Sequence, residues 1–137
     1  MDDIILCLVY NDNGDIIDEA SINYNTKIRV EIRPKEGENI PHVHIIDPQN
    51  NKNGDICVRL DKSEYFIHGE HKGKFDSPNA KKAFHKAMMK PKKKGDYNGT
   101  TWGFLCQEWN RSHKDNPRLF PKEIPDYSTI DKAMIAK

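Results

Sequence analysis

Long apolar runs are missing from this chain. No stretch approaches the ~20 consecutive apolar residues that cross a bilayer, so a helical membrane span is excluded. Basic residues are missing from the start. The chain opens Met1-Asp2-Asp3, acidic where a secretory leader would be basic, and no export segment is expected. Cysteine is scarce and odd in number. Cys7, Cys57 and Cys106 stand far apart, which points away from a disulfide framework and towards thiols kept reduced in the cytoplasm. No internal repeat and no second domain are apparent, and 137 residues suffice for one ordinary core.

Charge of one sign is not lacking, but it is unevenly placed. The net charge is +1, yet residues 1–71 carry −7 and residues 72–137 carry +8, with most of the excess between Lys72 and Lys94. Such asymmetry points to a polyanion-facing surface, although a solvated face has the same composition.

The first part of the chain reads as strands. Ile4 to Val9 is an apolar run of strand length, and Asn11-Asp12-Asn13-Gly14 is a turn, so residues 4–18 form a hairpin. Ile28, Val30 and Ile32 alternate with Arg29, Glu31 and Arg33, and Ile56, Val58 and Leu60 alternate with Cys57 and Arg59. Between these lies Ile40-Pro41-His42-Val43-His44-Ile45, and a short strand is expected over Glu64 to His68.

After His71 the period changes. Ser77-Pro78 starts a helix, and Ala80, Ala83, Phe84, Ala87 and Met88 make one apolar stripe that Pro91 closes. Lys92 to Gly99 reads as a charged loop. Thr101 caps a second helix with Trp102, Leu105, Cys106 and Trp109 on its apolar side, where the tryptophans are core residues. The tail from Asn116 carries Pro117, Pro121 and Pro125 and should wrap the body in extended form, with a last helical turn over Ile130 to Ala136. Strands followed by helices give α+β: an antiparallel sheet of about five strands with two amphipathic helices packed on one face.

Three constellations can carry chemistry. His42 and His44, at i and i+2 of a strand, lie side by side. With His68 and His71 from His68-Gly69-Glu70-His71 they form a possible zinc ligand set. Without metal, His42, His44, Arg59 and His68 would converge opposite Val43, Val58 and Ile67 if the strands are neighbours in register. They could then act as base, acid and phosphate-stabilising cation in RNA cleavage. Lys81, Lys82, Lys86 and Lys90 fall off the apolar stripe of the first helix. With Lys92, Lys93 and Lys94 they form a surface for a phosphate backbone. Little aromatic interleaving argues against base stacking there.

Pro41-His42-Val43-His44-Ile45, a later strand, a helix, and a second helix bearing Glu108-Trp109 resemble a family of small bacterial Pro-His-x-His domains often placed beside toxin–antitoxin modules. The resemblance covers about residues 26–113. It leaves 1–25 as a hairpin extension and 114–137 as a proline-containing tail. Val43 stands where that family usually has an aromatic residue, and the basic insertion is longer. Histidine-triad hydrolases fit less well, since Ile46 occupies the place of their third histidine. Cupins also share His-x-His, but the helices after residue 77 use chain that a β-barrel would need. The resemblance implies a cytoplasmic accessory or toxin-like protein, with His42 and His44 as the matched positions. Two other readings stand beside it. One is a non-enzymatic mobile-element protein that docks on an antitoxin or nuclease. The other is a zinc-stabilised structural domain.

Overall fold

The computed structural model describes residues 4–17, 27–34, 40–49 and 53–136. Its architecture is α+β, with a mostly antiparallel sheet and two helices. Strands β1 (Ile5–Tyr10), β2 (Ile28–Ile32), β3 (His42–Ile46), β4 (Ile56–Arg59) and β5 (Tyr65–Ile67) lie side by side in chain order, each antiparallel to the last. The Asn11–Gly14 turn forms as expected, with its return arm bridging Tyr10 to Ile16. Asp18 and the polar connections at 35–39 and 50–52 lie outside the described residues.

The period-2 patterns sort residues as the register requires. Val43 faces Val58, Ile45 faces Ile56 and Val30 faces Ile45, so one face is apolar. Helix α1 (Pro78–Met89) packs on it. The Ser77 hydroxyl accepts from the Ala80 N–H at 3.1 Å, and Pro78 occupies the first turn, where its missing donor costs nothing. Ala83, Phe84, Ala87 and Met88 are buried as one stripe. Full burial of a side chain such as Phe84 or Met88 contributes roughly 1.5–3 kcal/mol. Pro91 forces Lys90 into extended backbone and ends the helix.

Lys92 to Gly99 is not a loop. Strands β6 (Pro91–Lys94) and β7 (Tyr97–Thr100) form a hairpin around Gly95-Asp96, with Gly95 at φ +58°. A lysine run hides the strand pattern, and the glycine at positive φ supplies the turn. Helix α2 (Thr101–Ser112) is capped one residue earlier than expected. The Thr100 hydroxyl accepts from the Gly103 N–H, while the Thr101 hydroxyl donates to the Lys90 carbonyl. The Trp102 indole N–H donates to the Leu60 carbonyl at 2.8 Å, pinning α2 to the end of β4.

The tail is extended over its prolines and buries Tyr127, whose hydroxyl donates to the Arg59 carbonyl at 2.7 Å. Its end corrects a second expectation. Residues 133–135 are not helical but form β8 (Ala133–Ile135), parallel to β5. The order is β1-β2-β3-β4-β5-β8, six strands rather than about five. An exposed edge offers unpaired N–H and C=O groups, and the tail takes them: the Tyr65 N–H donates to the Lys132 carbonyl and the Ala136 N–H to that of Ile67. Among the described residues no helix is long and apolar enough to cross a membrane.

Candidate metal centre

The sheet face opposite α1 is polar and nevertheless buried. His42 faces Arg59, His44 faces Cys57, and Glu31 faces His44, all within one layer. His42 is 1% exposed, His44 0% and Cys57 1%. Val58 pairs with Tyr65, so Phe66 and His68 join the histidine face while Tyr65 and Ile67 join the core face. The convergence that depended on register is therefore present for His42, His44 and His68, and the turn after β5 brings His71 beside them. Ring centroids are 5.2 Å apart for His42 and His44, 5.0 Å for His42 and His68, and 5.1 Å for His68 and His71.

The turn carrying His68 and His71 is clamped onto the chain before β4. The Lys72 N–H donates to the Asn53 carbonyl and the Gly73 N–H to that of Asp55. Gly54 has φ +87°, and a Cβ there would meet the Glu70 carbonyl oxygen at 2.2 Å. Only glycine permits both the backbone conformation and the close approach.

Asp55 is the hub of the hydrogen bonding. Its Oδ2 accepts from Arg33 at 2.6 Å and from His44 Nδ1 at 3.2 Å, with His71 Nδ1 at 3.4 Å. Burial pushes the Asp55 carboxyl up, but the His44 hydrogen bond and the Arg33 charge outweigh it and hold the group below the usual carboxylate range. Arg33 also donates to His71 Nε2 at 3.4 Å. A guanidinium only donates, so this nitrogen accepts and the proton of His71 sits on Nδ1, facing Asp55.

The same logic fixes the other tautomers. His42 Nδ1 lies 2.8 Å from the Ile40 carbonyl oxygen, which can only accept. His44 Nδ1 faces an ionised carboxylate. Both rings therefore carry a proton on Nδ1, which leaves Nε2 as the nitrogen that can ligate a metal. His42 is packed between Phe66 at 4.5 Å and Trp109 at 5.4 Å, and Trp109 stacks on His113 at 3.6 Å.

Two triads have the composition and spacing of a metal ligand set. They are His42, His44 and His68, and His44, Asp55 and His71, with donor atoms within 4.8 Å of one another in each. The first offers Nε2 of His42 and His44 as ligand atoms, since Nδ1 of each faces an acceptor. The second is already joined by the His44–Asp55 hydrogen bond, by the 3.4 Å approach of His71 to Asp55, and by Arg33, which reaches both Asp55 and His71.

The remaining predicted residues lie elsewhere. Arg59 shares the face, but its guanidinium is turned to Asp61 at 2.7 and 2.8 Å and to Glu64 at 3.3 Å. The Asp61 hydrogen bonds raise its pKa further. Lys81, Lys82 and Lys86 ride on α1 and Lys90 follows at its C-cap, across the sheet from the histidines, with Lys86 and Lys90 3.7 and 3.6 Å from Asp15. Lys92 and Lys94 lie over the Phe104 ring at 5.1 and 5.9 Å, and Lys93 sits between them on β6.

A separate cavity of about 200 Å³ on the helix side is lined by Tyr10, Asp12, Asp47, Phe75 and Asp76 and has no histidine. Burial, aided by Asp12 and Asp76, pushes the Asp47 carboxyl up despite the Gln49 N–H. Asp55 and Arg33 were missed as site residues. Extending the Cys57, Arg59 alternation back by one step reaches Asp55, and the Arg29, Glu31, Arg33 alternation reaches Arg33.

No protein-family model, curated protein or solved structure matches this chain.

Proposed function

We propose that this chain is a metal-binding domain in which His42, His44 and His68 hold one transition-metal ion of the zinc class, and that the ion fastens the buried polar layer. The observation carrying this is the fixing of His42 and His44 through Nδ1 to pure acceptors, Ile40 O and Asp55. Metal-bound histidines are held in this way by an outer carboxylate or carbonyl. Tetrahedral zinc brings its nitrogens to about 3.3 Å from one another, so the rings close inward by at most about 1.5 Å. Asp55 orients His44, and Arg33 with His71 orients Asp55. The ion supplies folding free energy when bound. Burial of His42 and His44 favours a structural role over turnover of a large substrate.

The test is elemental mass spectrometry on untagged protein, with thermal unfolding before and after chelation. About one ion per chain is expected. At an ion concentration 100 times the dissociation constant, stabilisation is about 2.7 kcal/mol, or roughly 10 °C. Protein that holds no metal and does not respond to added zinc overturns the reading.

The lysines of α1 and the β6–β7 hairpin favour a second reading, docking of RNA or another polyanion in the cytoplasm, as a toxin-like or mobile-element protein would require. Salt-dependent retention of RNA by wild type, lost on reversing Lys81, Lys82 and Lys92 to Glu, would support it. Retention unchanged by those reversals would exclude this surface.

A further inference from the structure

Resting on the metal reading above, we infer that the Cys57 thiolate is the fourth ligand of the ion held by His42, His44 and His68. Cys57 is the cross-strand partner of His44 on the polar face. Its Sγ lies 3.4 Å from His44 Nδ1, 4.0 Å from His44 Nε2 and 3.7 Å from His68 Nε2. Zinc bonds of about 2.3 Å to sulfur and 2.0–2.1 Å to nitrogen place ligand atoms about 3.6 Å apart across a tetrahedral edge. Measured to the nitrogens that would ligate, the sulfur already stands at that separation from His68 Nε2 and within about 0.4 Å of it from His44 Nε2.

The other cysteines show the contrast. Cys7 and Cys106 belong to the apolar core. Burial pushes the Cys7 thiol up to about 12, and the Cys106 thiol higher still. Cys57 is excluded from that core and sits among imidazoles. When it ligates, the thiol proton passes to solvent as the sulfur–metal bond forms. A thiolate with three imidazoles closes the coordination sphere. It selects a thiophilic ion such as zinc over magnesium or calcium.

Zinc X-ray absorption on the full chain loaded with one equivalent of zinc reads the ligand shell without any substitution. One sulfur at about 2.3 Å beside nitrogens at about 2.0 Å is expected. A shell of nitrogen and oxygen alone overturns the assignment and leaves the histidine centre standing. Cobalt(II) titration assigns the sulfur. A near-ultraviolet thiolate-to-cobalt charge-transfer band should form in wild type, Cys7→Ala and Cys106→Ala. It should be lost in Cys57→Ser while the visible ligand-field bands persist. Survival of the band in Cys57→Ser overturns the proposal. If wild type binds neither ion, the metal centre itself fails, a result distinct from the loss of Cys57 alone.

Discussion

The two faces of the central sheet are both buried along β3 and are held by opposite means. Val43 and His44 are neighbours on one strand, both 0% exposed. Val43 is placed by non-directional packing that tolerates any side chain of similar shape. His44 is placed by a bond to Asp55 that has one geometry. Burial of a polar group is costly unless its partners are present, so the second face is specified group by group. A volume change should therefore be felt on the apolar face, and a single-atom change on the polar one.

The largest expected effect tests the apolar side alone. Phe84→Ala removes a fully buried ring packed on Phe75 and Tyr127 and should cost about 3–5 kcal/mol in chemical denaturation. Metal stoichiometry of the folded fraction should not change. Loss of metal with the ring would show that the faces are not separable.

Asp55→Asn keeps the shape and removes the charge on which Arg33, His44 and His71 meet. A loss of roughly 2–3 kcal/mol is expected for metal-free protein, discounted from the 3–5 kcal/mol of a fully buried pair because Asp55 is partly exposed. Metal affinity should fall by about 10–100-fold. Normal affinity in this variant would show that Asp55 does not orient His44.

Acid sharpens the comparison further. The Asp55 carboxyl is depressed in the folded protein, so its contribution is complete above the unfolded value of about 3.9 and is lost as pH falls through the lower folded value. Denaturation midpoints of metal-free wild type should lose this contribution only below about pH 4, and Asp55→Asn should lack that part of the fall. Parallel acid curves for the two proteins would contradict the assignment.

The smallest effect belongs to the solvent side of α1. Lys81→Glu and Lys82→Glu should each stay within about 0.5 kcal/mol of wild type and leave metal content unchanged. A drop in metal content would place α1 nearer the centre than the sheet between them allows.

Alternation made the strands legible, and with them the apolar set Val43, Val58 and Ile67. The Ser77-Pro78 cap and the stripe to Met88 made α1 legible for the same reason: local periodicity and local hydrogen bonds. His42 and His44 could be paired from spacing alone. Their meeting with His68 and His71 depended on register, which the β3–β4–β5 pairing decides. Asp55 precedes β4 and lay just beyond the pattern. The β6–β7 hairpin was hidden by lysines with weak strand preference, and β8 by a partner nearly seventy residues away. Three residues carry too little periodicity to announce a strand whose reason is another strand's open edge.

That last strand has a consequence for how molecules meet. Tyr65–Ile67 leads directly into His68, and its outer edge is sealed by Ala133–Ile135. Were Ala133–Ile135 to come away from its own sheet, this edge would stand bare, next to the histidines, ready to accept the same three residues from a neighbour. Segment exchange between copies would then restore each sheet with its neighbour's end. The integrity of the centre would come to depend on protein concentration.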